Sequence, residues 1–270
     1  MGLELGCSSA PSAVPITYAG GAPEPSRPLP SELASAATSP PPAPPPAPQP
    51  TPDPEHRLPP GVTPGTFTSV DIAGDASVDV LHGSARSERA IVYLHGACGD
   101  PRAPLAWSSV AVEVGTLITI RGDRACGKNE RYYWGPDARQ LEARVSRALA
   151  RVAEVRGAAF EPASVVLMGY SQGATRAQEL HALHPERYPR VILAGIPVPP
   201  SARHLAKVRA VAVLGGQLEH TRPMRAGVWA LQAHRIPVRF DLFPGARHGE
   251  FGPDAERVMR ETFDWLLQEP

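Results

Sequence analysis

No stretch of the 270-residue sequence approaches the roughly 18 consecutive apolar residues of a membrane-spanning helix, so nothing in it reads as a bilayer span. Lysine is nearly missing: among 27 basic residues only Lys128 and Lys207 are lysines, the rest being arginines. The 27 basic side chains are balanced by 27 acidic ones, and no block of like charge stands out. Nucleic-acid binders carry a clustered basic face, so no nucleic-acid partner is expected. Cysteines number three (Cys7, Cys98 and Cys126), and no paired Cys or His spacing suggests a metal site. Neither metal nor cofactor is expected. Proline is plentiful, but 19 of the 33 lie before residue 66. A compact domain cannot absorb that density, because each proline removes a backbone donor and fixes φ.

Residues 1–65, rich in Pro, Ala and Ser and densest over Pro40–Pro54, are therefore expected to be a disordered tail. Such a segment favours extended polyproline II and serves as a semi-rigid spacer. Near its start, Leu5-Gly6-Cys7-Ser8-Ser9 resembles the end of a bacterial lipoprotein signal, in which the cysteine is lipidated. Glu4 stands where that pattern carries Leu, and only six residues precede Cys7, without an apolar core. Two localisations stay open: an exported or cell-envelope lipoprotein that touches membrane only through Cys7, or a cytoplasmic protein with an accidental likeness.

Residues 66–270 form one expected domain of alternating strands and helices. Thr66–Ala73 and Ser77–Leu81 read as paired amphipathic strands around a Gly74-Asp75-Ala76 turn. Ala90–Leu94, Thr116–Ile120, Ser164–Met168, Arg190–Ala194, Val208–Leu214 and Val238–Phe243 read as further strands. Pro104–Val114, about 137–156 and Pro253–Gln268 read as helices; in the second, Leu141, Val145, Leu149 and Val152 recur at helical spacing. Wholly apolar strands joined by crossover helices predict an α/β fold, a mostly parallel doubly wound sheet covered on both faces.

The sharpest motif is Gly169-Tyr170-Ser171-Gln172-Gly173, placed between an apolar strand and a helical run. A nucleophile in such an elbow sits on a tight turn that needs small residues two positions to either side. With this motif the chain, over about residues 66–270, resembles the α/β-hydrolases, in particular the compact lidless branch of carboxylesterases, acyl-protein thioesterases and dienelactone hydrolases. The resemblance implies Ser171 as nucleophile and the Gln172 N–H as one oxyanion donor. It implies His248, in Gly245-Ala246-Arg247-His248-Gly249 after the last strand, as general base. It places the triad acid at Glu219, in Gly215-Gly216-Gln217-Leu218-Glu219; the other reading of Glu219 is an exposed loop residue. No Asp lies between Asp137 and Asp241, and Asp241 falls inside a strand. His95-Gly96-Ala97-Cys98-Gly99 matches the family's oxyanion loop, with Ala97 as donor and Cys98 as alternative. The other histidines, His95, His181 and His184, read as packing or surface residues.

In that fold the strands before Cys98 and Cys126 are neighbours, which implies a Cys98–Cys126 disulfide in an exported protein; two free thiols in a cytosolic one is the alternative. Too few residues separate the strands at 190–194 and 208–214 for a helical cap, so an open site is expected. Tyr132, Tyr133 and Trp134, in the loop Arg121–Pro136, are candidate substrate-lining residues, with packing as the other reading. The expected activity is serine-dependent cleavage of a small-molecule or polymeric carboxylic ester by a monomer. The alternatives are a peptidase resembling the prolyl-oligopeptidase catalytic domain, and a non-catalytic tethered binding protein.

Overall fold

A computed structural model describes residues 62, 63, 65–84, 87–127 and 131–268. Cys7 and nearly all of segment 1–65 lie outside the described residues, as do Lys128, Asn129 and Glu130. The elements run β1 (Phe67–Val70), β2 (Val78–Leu81), β3 (Ala90–Leu94), α1 (Ser108–Val114), β4 (Thr116–Ile120), β5 (Arg124–Ala125), β6 (Tyr132–Tyr133), α2 (Ala138–Arg156), β7 (Val166–Tyr170), α3 (Gln172–Leu183), β8 (Arg190–Ala194), β9 (Ala210–Gly216), α4 (Arg222–Ala233), β10 (Val238–Phe243) and α5 (Ala255–Gln268). Eight strands form one sheet in the order β1-β2-β4-β3-β7-β8-β9-β10. The pairs β1/β2 and β2/β4 are antiparallel, and every later pair is parallel. β5 and β6 form a separate two-stranded ribbon.

The central strands are buried on both faces, and their side chains sort by period two. Ala90, Val92 and Leu94 join a core under α2, α3 and α4, whereas Ile91 and Tyr93 join a second core under α1 and α5. The same alternation sends Val211 and Val213 to the first core and Ala212 and Leu214 to the second. This is the α/β architecture read from the sequence.

Local chemistry sets the helix limits. Asp137 caps α2 by accepting from the N–H groups of Arg139 and Gln140, and Gly157 ends the helix with φ 69°. Asp75, in the β1–β2 turn, accepts from both Arg144 and Arg147, which ties the opening hairpin to α2. Several boundaries differ from expectation: β1 ends at Val70 rather than Ala73, and α5 starts at Ala255 rather than Pro253. The helix expected at 104–114 is a 3-10 turn (Ala103–Trp107) followed by α1, with Trp107 in non-helical backbone at the junction. β7 starts later because a 3-10 turn occupies Pro162–Ser164, and it runs on through Gly169 and Tyr170, which pair with Leu193 and Ala194 of β8. β9 likewise starts later and extends through Gly215 and Gly216, which pair with Leu242 and Phe243.

Candidate active site

Parallel strands direct all their carboxyl ends to one edge, and the elbow lies there. Ser171 follows β7 directly and has φ 52° and ψ −117°, a strained conformation for a residue with a Cβ. Its N–H donates to the Ala194 carbonyl at 2.8 Å, and α3 begins at the next residue. The flanking glycines are steric necessities. A Cβ on Gly169 would fall on the Gly173 carbonyl, and one on Gly173 would fall on the Leu94 carbonyl. A Cβ on Gly96 would lie 3.2 Å from the Ser171 Cβ, so the loop after β3 passes directly beside the serine.

Two further loops converge on Ser171. His248 Nε2 lies 3.1 Å from Ser171 Oγ, and His248 Nδ1 lies 3.0 Å from Glu219 Oε1. A carboxylate only accepts, so this contact places the imidazole proton on Nδ1 and leaves the Nε2 lone pair facing the serine hydroxyl. Glu219 Oε2 accepts from the Gly216 N–H at 2.7 Å, and its side chain is only 5% exposed, against 50% for His248. The Glu219 carboxylate is thus held in place while the His248 ring is open to solvent. The two loops also hold each other: Leu218 N–H donates to the Ala246 carbonyl, and Gln217 Oε1 accepts from the Gly245 N–H. Asp241 is engaged elsewhere, paired with Arg239 on its own strand. Tyr170 packs beside His248 with ring centroids 5.6 Å apart, and its hydroxyl accepts from the Gly249 N–H at 2.7 Å. Burial pushes this phenol up to about 12, which keeps it protonated at neutral pH.

The Gln172 N–H opens α3 and has no carbonyl one turn back in its own helix. Among the described residues the Ala97 N–H is likewise not taken by another backbone carbonyl. Gln172 adjoins Ser171 in the chain and Ala97 lines the same cavity as Ser171, and two free amides beside a nucleophile can bind an oxyanion. Cys98 adopts φ 53° and is joined by a disulfide to Cys126, with a Cα–Cα distance of 5.6 Å.

The loop Arg121–Pro136 braces this edge. Gly122 N–H donates to His95 Nε2 at 2.9 Å, and Trp134 Nε1 donates to the His95 carbonyl at 2.6 Å. Gln172 clasps the Trp134 backbone at both ends: Oε1 accepts from its N–H and Nε2 donates to its carbonyl. Gly99 bridges to Tyr132. Because Nδ1 of His95 faces the Gly96 carbonyl at 2.6 Å and Nε2 accepts from Gly122, the ring is neutral with its proton on Nδ1. Burial holds it below the usual imidazole range.

Two cavities meet at His248. A cavity of about 120 Å³ reaches Ser171 and is lined by Tyr93, Ala97, Tyr170 and Phe251, among others. A larger one of about 330 Å³ lies beside Ile196, Leu218, His220 and Arg247. Tyr132, Tyr133 and Trp134 line neither. Trp134 is buried against His95, Tyr132 lies under the Arg121 guanidinium, and Tyr133 is exposed, so the packing reading of Trp134 describes its surroundings here. Aromatic spacing in a loop does not reveal which way a ring turns, and here the indole N–H found a buried carbonyl. His181 is buried with Nδ1 against the Tyr188 carbonyl, and His184 caps the end of α3. No group of side chains suited to a metal ion occurs among the described residues.

No family model and no curated protein matches this sequence. Solved structures do. Esterase PE8 is 21% identical, covering 69% of this chain and 97% of that one at a TM-score of 0.52. FphF, a fluorophosphonate-binding serine hydrolase of Staphylococcus aureus, is 12% identical, covering 76% and 100% at 0.56. Est1E from Butyrivibrio proteoclasticus is 13% identical, covering 75% and 98% at 0.53. The chain has the α/β-hydrolase fold.

Proposed function

We propose that this protein is a serine hydrolase that cleaves carboxylic esters through an acyl-enzyme. The observation that carries the reading is the continuous chain Glu219–His248–Ser171, with contacts of 3.0 and 3.1 Å, at a strand-to-helix elbow. In this reading His248 Nε2 takes the Ser171 proton as Oγ bonds to the ester carbonyl carbon. The N–H groups of Gln172 and Ala97 hold the resulting oxyanion. Collapse breaks the bond to the alcohol oxygen, which leaves with the proton from His248. Water, deprotonated by the same imidazole, then releases the acid and restores the serine. Glu219 keeps the imidazole in the productive tautomer and balances its charge when protonated.

Only a short segment, residues 195–209, joins β8 to β9, which supports an open site suited to varied esters. The disulfide supports an oxidising compartment, in line with an exported protein tethered through Cys7. A fluorophosphonate probe is expected to label the protein at Ser171, and Ser171→Ala to abolish labelling. Short-chain nitrophenyl esters are expected to turn over, and a panel of peptide amides to remain intact. An unlabelled folded protein would favour a binding module, and cleaved amides would favour a peptidase.

A further inference from the structure

The cavity of about 120 Å³ at Ser171 contains a polar group that the proposed chemistry does not use. Tyr93, on β3, lines it and is 99% buried, its exposure being 1%. No hydrogen bond to its hydroxyl occurs among the described residues, and the oxygen is not among their fully enclosed unpartnered atoms, which fits a hydroxyl open to the cavity. Buried phenols normally find one, so an unmatched hydroxyl facing a cavity marks a place for a ligand atom. Tyr170, in the same cavity, differs: its oxygen already accepts from Gly249. Burial, with Tyr170 and Asp100 nearby, pushes the Tyr93 phenol above its ordinary range, so it is a standing donor. The volume accommodates about four non-hydrogen atoms, at roughly 30 Å³ for a water-sized group. Asp100 is on the wall, and the lining includes no Lys or Arg. An anionic group is therefore disfavoured there.

We infer that Tyr93 is a specificity-determining residue whose hydroxyl donates to an oxygen on a short, uncharged substituent of the ester, held in this cavity beside Ser171. The inference rests on the serine-esterase reading and names its substrate class: esters with one compact, oxygen-bearing branch. The larger cavity on the other side of His248 takes the remaining branch.

Matched ester pairs test this. One pair varies the acyl side, 4-nitrophenyl methoxyacetate against butyrate; the other varies the alcohol, 2-hydroxyethyl acetate against propyl acetate. Each pair exchanges oxygen for carbon at nearly constant size. The kcat/KM ratio within each pair is measured for the wild type and for Tyr93→Phe, and comparing the two proteins cancels the intrinsic reactivity of the esters. In one series the preference for the oxygen-bearing member is expected to fall about 3- to 10-fold in Tyr93→Phe, the effect of losing one net hydrogen bond. Ala103→Leu, which narrows the same cavity, is expected to lower kcat/KM for both members of that series relative to 4-nitrophenyl acetate. Ratios unchanged by Tyr93→Phe in both series would overturn the inference while leaving the esterase reading intact. Fluorophosphonate labelling in the same preparations separates the two: a wild type that neither labels nor hydrolyses any ester would sink the reading, and this inference with it.

Discussion

Ser171 holds a backbone conformation that costs a residue with a Cβ about 1–3 kcal/mol, and the surrounding elements impose it. Its N–H is held by β8, and the chain must turn at once from strand to helix. That demand is local, which is why Gly169 and Gly173 make the elbow readable from five letters. Glu219 is harder to read, since any loop can carry a Glu; its distinguishing property is tertiary, one oxygen on Gly216 N–H and the other on His248. Glu219→Gln is expected to lower kcat by about 100- to 10,000-fold, because the amide can turn its NH₂ toward His248 and favour the wrong tautomer. Steady-state kinetics beside a thermal melt check this, and near-normal turnover in folded protein would place the acid elsewhere. Tyr93 shows the opposite limit. In the sequence it is one more residue of an apolar strand, and only the cavity it lines beside Ser171 makes it a candidate for recognition.

At the scale of elements, the loop after β3, the proposed oxyanion loop, is not self-supporting. It is held by the segment between β4 and α2, through the disulfide, the Gly99–Tyr132 bridge and the hydrogen bonds of His95 and Trp134. The proximity of the two loops follows from β3 and β4 being neighbours, as the resemblance to the α/β-hydrolases implied. The role of the aromatics does not follow from it, because a loop has no periodicity to assign faces. The Cys98→Ser/Cys126→Ser double variant is expected to lose about 3–4 kcal/mol of stability, the chain-entropy value for a closed loop spanning a separation of 28 residues. Its kcat is expected to drop as well, since Cys98 adjoins Ala97. Denaturant unfolding and ester kinetics on the same preparation separate the two effects. Turnover unchanged at lower stability would mean that Trp134 and His95 hold the amides without the disulfide.

For the whole molecule, pH acts through three imidazoles sealed in the structure. His82, His95 and His181 are fully buried, and burial holds each below its ordinary value of 6.5; a nearby Arg156 charge adds to the effect at His82. Above that value both folded and unfolded chains carry them neutral, and stability is unaffected. As pH falls through it the unfolded chain takes up protons that the folded one resists, so stability declines. For His95 a second proton would also break the Gly122 contact that braces the loop after β3. The expected outcome is a melting temperature that is flat above about pH 6.5 and falls steadily toward pH 5. Asp75 adds a later loss. Its burial raises the carboxyl, but the bonds to Arg144, Ala76 and Arg147 outweigh this and lower it overall, so its contribution persists until pH falls below 3.8. A melting temperature independent of pH from 7 to 5 would contradict the buried, neutral imidazoles. By itself the sequence determined the α/β class, the strand order of business along the chain, and the elbow around Ser171, because apolar periodicity and steric limits act between near neighbours. The tertiary structure decided which carboxylate meets His248, which way the aromatic rings of the bracing loop turn, and that Tyr93 borders a cavity. Those depend on contacts between residues tens of positions apart, which exist only once the sheet has set its strands side by side.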